Sequence, residues 1–503
     1  MIETGTVRIT AAVLALLLAL ALFPGRLAAE DRVALVIGMA KYEHVTPLKN
    51  TTNDAQMISD TLTGIGFQVT TLIDSPYQEL RDALDEFAFR SETADLALIY
   101  FAGHGIEVSG ENFLVPVDAN VRSNVDVQRQ SVSLKELLAS VDRARKMRIV
   151  ILDSCRDNPF GGALAVETAE ATTTATETTR GGTGMAPPSP DRGTLVAFAA
   201  KDGAVALDGM GNNSPFATAL ADKMKAPGLE ISLMFRQVRD RVLDETRNMQ
   251  EPHTYGSLSG VPFYLAGDDD GGQIEADDLR VAWSKIRPEQ EEQLAALAAN
   301  GDTRSMLGLA YMRLNPDQDS FDPAQAYDLL SKAAAAGSPE AQFELAKMLE
   351  QGLGIEPDPV RALDLYRQAA EQDFADAIND LGFLYYQGGL GLPQDPARAL
   401  TYFERAADLR HPEAMFNFAA LIDDGLVATK GPEDAAGYLY DALRSGSEDV
   451  LQLLSEKPTM FTDTTRKALQ AKLKEFAFYE GTIDGDFGEG TQRGIRKAYG
   501  LTD

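Results

Sequence analysis

Cysteine is almost missing from this chain: Cys155 is the only one in 503 residues. A sole cysteine can form no intrachain disulfide, so no covalent cross-link shapes the fold. Basic residues are also scarce. Lysine and arginine total 46 against 76 aspartates and glutamates, for a formal net charge of -30. Phosphate contacts need lysine and arginine clusters, so this balance argues against nucleic acid as a partner. The charge reads first as a solvated, soluble surface. Long apolar runs are absent except at the start, where residues 10–23 are nearly all Ala, Leu and Val and Pro24-Gly25 breaks the run. A membrane span needs about 20 apolar residues. The shorter run, with Leu27-Ala28-Ala29 behind it, fits a signal peptide over residues 1–29. In a bacterium this gives a periplasmic or secreted protein. The alternative is an uncleaved N-terminal membrane anchor, because Arg8 is the only basic residue ahead of the run and Glu3 opposes it. An unpaired cysteine in such a compartment is unusual unless its thiol is used.

What is present is organised in blocks. At about 150 residues per domain, this length allows roughly three. Over residues 30–266, apolar strand-like runs alternate with helical ones. The runs at 33–38, 67–73, 95–103, 149–155 and 194–199 read as strands, with a short one near Phe113. Residues 53–62, 77–89, 133–143, 215–225 and 231–248 read as helices, the first capped by Asn53. This alternation implies an α/β domain with a mostly parallel sheet covered on both faces. Residues 166–192 are rich in Thr, Ala, Gly and Pro and read as a mobile loop. Residues 267–290 open with Gly-Asp-Asp-Asp-Gly-Gly and read as a linker.

From residue 291 to 456 the chain repeats. Small-residue turns at Gly301, Gly337, Asp373 and Arg410 recur at intervals of 36, 36 and 37. A fixed period in this range means stacked helix pairs, an all-α solenoid. Gly352, Gly354, Gly389 and Gly391 would serve the turns. The array resembles the Sel-one-like variant of tetratricopeptide repeats, which implies a protein-binding concave face; the plainer reading is a spacer. Residues 460–503 form a last piece, with Tyr479-Glu-Gly-Thr-Ile-Asp-Gly-Asp-Phe-Gly488 at its centre. It resembles the small helical peptidoglycan-binding module of wall-associated proteins. Gly485 and Gly488 would permit its tight loop, and Asp484 and Thr491 would fix it by local hydrogen bonds. The plainer reading is a helical cap on the solenoid.

The chemistry concentrates at two strand ends. Cys155 closes Ile149-Val-Ile-Leu-Asp-Ser-Cys, and His104 follows Asp95-Leu-Ala-Leu-Ile-Tyr-Phe-Ala-Gly, 51 positions upstream. A thiolate can attack a peptide carbonyl while a histidine protonates the leaving amine. Strand ends at one edge of a parallel sheet are where such side chains can meet. The plainer readings are an inert buried thiol and a core histidine. His44, His253 and His411 lie outside these blocks and read as structural or solvated.

Together with residues 36–42, Leu48-Lys-Asn-Thr-Thr-Asn-Asp-Ala55 and Asn213-Ser-Pro-Phe-Ala-Thr-Ala-Leu220, these blocks resemble the caspase–metacaspase family of cysteine peptidases. The resemblance implies a caspase-like three-layer sandwich, a Cys155/His104 dyad, and an oxyanion held by the backbone N–H groups of Gly105 and Cys155. Where aspartate-specific caspases have glutamine two places before the cysteine, this chain has Asp153, as metacaspases do. Asp54 matches their acidic residue in the first block, although it could equally cap a helix. Two carboxylates would select arginine or lysine before the cleaved bond, with bidentate pairing favouring arginine. Ala102 and Thr51 depart from the common metacaspase residues. Arg180, in the expected loop, is a candidate self-cleavage site. No cofactor or metal ligand set is expected, and calcium dependence, known among metacaspases, has no acidic cluster assigned to it. The expected function is that of an exported cysteine endopeptidase acting on protein or peptide substrates. The alternative is a non-catalytic envelope scaffold in which the caspase-like domain and the repeats bind partners.

Overall fold

The computed structural model describes residues 32–108, 110–155, 193–201, 206–209, 211–258, 262–267 and 279–501, and for Cys155 the backbone. The expected signal peptide, the expected loop 166–192 with Arg180, and the stretch 268–278 lie outside the described residues.

The first elements are β1 (Arg32–Gly38), α1 (Thr51–Gly64), β2 (Gln68–Ile73), α2 (Tyr77–Thr93), β3 (Leu96–Val108) and β4 (Glu111–Leu114). Then come α3 (Asn124–Gln130), β5 (Val132–Ser133), α4 (Leu134–Val141), β6 (Met147–Cys155), β7 (Thr194–Phe198), α5 (Pro215–Met224), α6 (Ile231–Glu245) and β8 (His253–Ser257). The sheet order is β2-β1-β3-β6-β7-β8, parallel except for β8 at the edge. The strands alternate strictly, and both faces are covered. Val36, Leu98, Tyr100, Ile149 and Ile151 pack with α1, α5 and α6 through Ile58, Leu62, Phe216 and Val238. Leu35, Ile37, Ile99, Phe101, Val150 and Leu152 pack with α2 and α4 through Leu80, Leu84, Leu134 and Leu137. This is the expected three-layer sandwich.

Several boundaries differ from the sequence reading. Helix α1 starts at Thr51, with Asn50 ahead of it, so Asn53 is not its cap. Asn50 instead donates its side-chain amide to the carbonyls of Asp208 and Gly211. Strand β3 does not stop before His104 but runs on to Val108, because residues 105–108 find a new antiparallel partner in β4. Gly38 lets α1 close on β1, since a Cβ there would sit 2.7 Å from that of Ala55.

The helical part begins inside the expected linker. Helix α7 (Leu279–Trp283) buries Trp283 to 1% exposure, and α8 (Pro288–Ala299) follows directly. The ring of Trp283 lies where a Cβ on Gly308 would be, so this tryptophan seats the first repeat. Helices α9 (Thr303–Arg313), α10 (Pro323–Ala335), α11 (Pro339–Gln351), α12 (Pro359–Glu371), α13 (Ala375–Gln387), α14 (Pro396–Asp408), α15 (Pro412–Asp423) and α16 (Pro432–Arg444) form the antiparallel stack. Asp322, Asp358 and Asp395 each accept the N–H three residues on at 3.0 Å, with proline at the first helical position. That cap-and-proline start recurs with the sequence period and sets each helix. Gly352, Gly354 and Gly391 take positive φ in the turns, as does Gly388, and Gly389 closes the same turn by accepting the N–H of Leu392 at 2.8 Å.

Helix α17 (Glu448–Glu456) leads to the tail, α18 (Asp463–Glu475) and α19 (Glu489–Tyr499). Gln470 holds the loop between them, accepting from the N–H groups of Asp484 and Gly485 and donating to Asp484 and Thr491. Gly485 is left-handed, whereas Gly488 has φ -68° and needs no special freedom. The array returns to the α/β domain: Tyr440 and Arg444 of α16 bond Glu92 at the end of α2, and Arg145 bonds Tyr499. Among the described residues, no helix is long and apolar enough to cross a membrane.

Candidate active site

Strands β3 and β6 run parallel from Leu96 opposite Met147 to His104 opposite Cys155. The register therefore brings the two expected dyad residues to neighbouring backbone positions, at the same edge of the sheet. His104 is the last residue of the parallel pairing; Gly105 already pairs with Leu114.

Three contacts fix His104. Its N–H donates to the Tyr42 hydroxyl at 2.7 Å, its ring leans on Tyr42 with centroids 4.5 Å apart, and its Nε2 lies 2.9 Å from the carbonyl oxygen of Thr46. A carbonyl can only accept, so Nε2 carries the proton and Nδ1 is the basic nitrogen. Nδ1 is buried and has no partner among the described residues. Burial lowers the pKa of the imidazole below its usual value, so the ring is neutral at pH 7. Gly103 makes this packing possible. A Cβ there would come within 2.7 Å of both the Tyr42 hydroxyl and the Phe101 ring.

Beside the strand ends lies a group of carboxylates. Asp54, on the first turn of α1, is 1% exposed, and Asp153, on β6, is 7% exposed. Asp54 Oδ1 accepts from Asn213 Nδ2 and from the N–H of Ser214, both at 2.9 Å. Asp153 Oδ2 accepts from Ser214 Oγ at 2.8 Å and from the Tyr100 hydroxyl at 3.0 Å. Burial, then the charge of Asp153, pushes Asp54 up to about 7; burial pushes Asp153 up to about 6 against its two hydroxyl donors. The charge of Asp208 raises both. Among the described residues, no lysine or arginine forms an ion pair with Asp54 or Asp153. Lys49 is near, but its ammonium bonds the carbonyl of Gly211 and its N–H bonds Asp208. Carboxylates crowded in this way, with no counter-ion among the described residues, raise the pKa within the group.

The structure thus gathers His104, the Cys155 backbone, Gly105, Asp54 and Asp153 in one region, while Arg180 lies outside the described residues. It adds Asp208 and Ser214, which sequence reasoning missed. Asp208 sits in a loop with no periodic pattern; Ser214 stood inside a quoted block, where its Ser-Pro start already signals a helix cap. The other histidines are elsewhere: His44 is on the surface, His253 packs on Tyr255, and His411 caps α15. No group of three or more His, Cys, Asp or Glu able to hold a metal occurs among the described residues.

Comparison with known proteins divides the chain the same way. Residues 31–263 match the family model of the caspase domain. Residues 303–338, 339–374 and 375–411 match the Sel1 repeat, and residues 462–498 match a peptidoglycan binding domain. A stretch of 129 residues is 33% identical to human mucosa-associated lymphoid tissue lymphoma translocation protein 1, covering 25% of this chain and 15% of that protein. The mouse homolog is 32% identical over 133 residues, 26% of this chain and 16% of its own length. The chain thus spans only a small part of these relatives. Chitin synthase regulatory factor 3 of Schizosaccharomyces pombe is 33% identical over 67 residues, 13% of this chain and 7% of that protein. Among solved structures, caspase-1 from Spodoptera frugiperda aligns over 49% of this chain and 92% of its own, at 17% identity and a TM-score of 0.35. A Sel1 repeat protein from Oxalobacter formigenes aligns over 23% of this chain and 88% of its own, at 28% identity and a TM-score of 0.22. A caspase domain, Sel1 repeats and a peptidoglycan-binding domain therefore follow one another along the chain.

Proposed function

We propose that this chain is a cysteine endopeptidase that cleaves after arginine or lysine. The observation that carries the reading is the meeting of His104, neutral and with no partner for Nδ1 among the described residues, and the Cys155 position at the end of two parallel strands, beside carboxylates that no cation pairs among those residues. Nδ1 takes the thiol proton of Cys155, and the thiolate attacks the carbonyl carbon of the scissile bond. The carbon–nitrogen bond breaks, the imidazolium returns the proton to the leaving amine, and water hydrolyses the thioester. The backbone N–H groups of Gly105 and Cys155 hold the oxyanion. Asp54, Asp153 and Asp208 hold the guanidinium or ammonium of the residue before the cut.

The same reading makes the protein exported, with residues 1–29 removed as a signal peptide. It gives the Sel1 repeats protein partners and the tail an association with peptidoglycan. Arg180 would be a site of self-cleavage. The peptidase reading is tested by a profile of peptide hydrolysis against the residue before the cut, with Cys155→Ala beside it. Turnover confined to Arg and Lys, lost in the variant, is expected. Equal cleavage after Asp would contradict the pocket assignment, and turnover that survives in Cys155→Ala would contradict the nucleophile.

A further inference from the structure

Ser214 touches both carboxylates of the pocket. Its N–H donates to Asp54 Oδ1 at 2.9 Å, and its hydroxyl donates to Asp153 Oδ2 at 2.8 Å. The same hydroxyl oxygen accepts the N–H of Ala217 at 2.9 Å, which caps α5. A hydroxyl has one proton, and with its oxygen engaged by Ala217 that proton is directed at Asp153. The residue is 3% exposed, Pro215 follows at the first helical turn, and the helix behind packs Phe216 and Leu220 into the core. Backbone and side chain of one rigid residue thus span two elements, α1 and β6, whose acids would otherwise repel one another.

We propose that Ser214 is a positioning residue for substrate selection, holding Asp54 and Asp153 at one spacing so that both act on a single cationic side chain. This inference rests on the arginine- and lysine-selective reading above and names what sets that selectivity. A helix cap alone would need only the bond to Ala217; the second bond, to Asp153, is what the cap does not require. The groups facing the pair come from four elements: Tyr100 from β3, Asp54 from α1, Asp153 from β6, and Asp208 with Asn213 from the segment before α5. Tyr100 and Ser214 are the donors that favour ionised Asp153, against burial and the charge of Asp208. Removing the Ser214 hydroxyl therefore raises the pH at which Asp153 becomes available to a cation.

The test uses the full chain with Cys155→Ala, so that binding is read apart from turnover. A fluorescent peptide ending in arginine is titrated by anisotropy between pH 5 and 9, beside the same peptide ending in alanine. Three proteins are compared: the parent, Ser214→Gly and Ser214→Thr. Glycine caps helices to within a few tenths of a kcal/mol of serine but has no hydroxyl. One charge-assisted hydrogen bond corresponds to a midpoint shift of about one pH unit, or about threefold weaker arginine binding near pH 6.5, rising toward about tenfold near pH 5 and converging on the parent above pH 8. Ser214→Gly is expected to show that shift, and Ser214→Thr, which keeps the hydroxyl, is expected to follow the parent. A Ser214→Gly curve that overlays the parent, or one lowered equally at every pH, would overturn the positioning role. A parent that binds the arginine and alanine peptides equally would overturn the acidic-pocket reading and this inference with it. Absence of hydrolysis in the wild-type chain, with the pH shift present, would instead fault only the dyad.

Discussion

The two ends of the β3–β6 pair differ in how their charges are matched. At the far end, opposite charges meet. Asp95 pairs with Arg145 at 2.5 Å, and Glu92, 4% exposed, is bonded by the Tyr440 hydroxyl while the Arg444 guanidinium holds its carbonyl. At the near end, like charges meet. Asp54 and Asp153 are buried together with Asp208 beside them, and His104 Nδ1 has no partner among the described residues. The strands themselves are uniformly apolar between these ends, so the difference is not one of burial. Removing one partner from a matched buried cluster leaves an uncompensated group, and here that cluster joins the repeats and the tail to the α/β domain. Carboxylates buried together without a matching cation raise the energy of the folded chain, an arrangement found more often at functional sites.

The largest effect that would break this contrast is at the dyad. His104→Ala should lower kcat for arginine peptides by about a thousandfold, within the range of a general acid–base group. Unchanged kcat would remove His104 from the chemistry. Next is the acid pair. Asp153→Asn should cost about tenfold to a hundredfold in kcat/KM for arginine over alanine peptides, as one charge-assisted contact is lost.

The same pair makes a prediction of opposite sign for stability. A carboxylate whose folded pKa lies above its unfolded one binds its proton more tightly when folded, so its stabilising contribution is lost as pH rises between the two values. For Asp54 that window runs from 3.8 to about 7. Asp54→Asn should therefore melt higher than wild type at pH 8 and show no gain at pH 3.5, while cleaving arginine peptides poorly. A lower melting temperature at pH 8 would mean the pair is matched after all. At the far end the sign reverses. Arg444→Ala should destabilise the fold by about 3 kcal/mol, read as a lower denaturant midpoint, because the buried carbonyls of Glu92 and Ala498 lose their charged donor. The smallest effect belongs to the partly exposed contact between Arg410 of the repeats and Asp142 at the end of α4. Arg410→Ala should cost no more than about 1 kcal/mol, and less at high salt.

The sequence exposed the near end more fully than the far end, for physical reasons. Buried parallel strands read as continuous apolar runs, so β1, β3, β6 and β7 were legible, and with them the edge where His104 and Cys155 meet. The glycines around His104 read as a stop, yet β3 continues because β4 folds back to pair with it, a long-range event that no local pattern announces. Strand β8 was missed because His253–Ser257 is a short edge strand with little apolar content. Asp54 and Asp153 were legible through their blocks; their shared donor and the nearby Asp208 were not, since they come together only when α5 packs on α1. The far joint links Glu92 to Tyr440 across 348 positions. Nothing in either segment alone points to the other. The repeat period gave the solenoid but not its return to the sheet, because a period describes neighbours along the stack and not what its two ends touch.

The measurement that bears most directly on the central claim is hydrolysis of fluorogenic peptides ending in Arg, Lys or Asp, with and without calcium, by the wild-type chain and by Cys155→Ala. Turnover after Arg and Lys alone, absent from the variant, is the predicted result. Turnover after Asp at an equal rate, or no turnover by the wild-type chain in any condition, would contradict the account of the near end as a peptidase site.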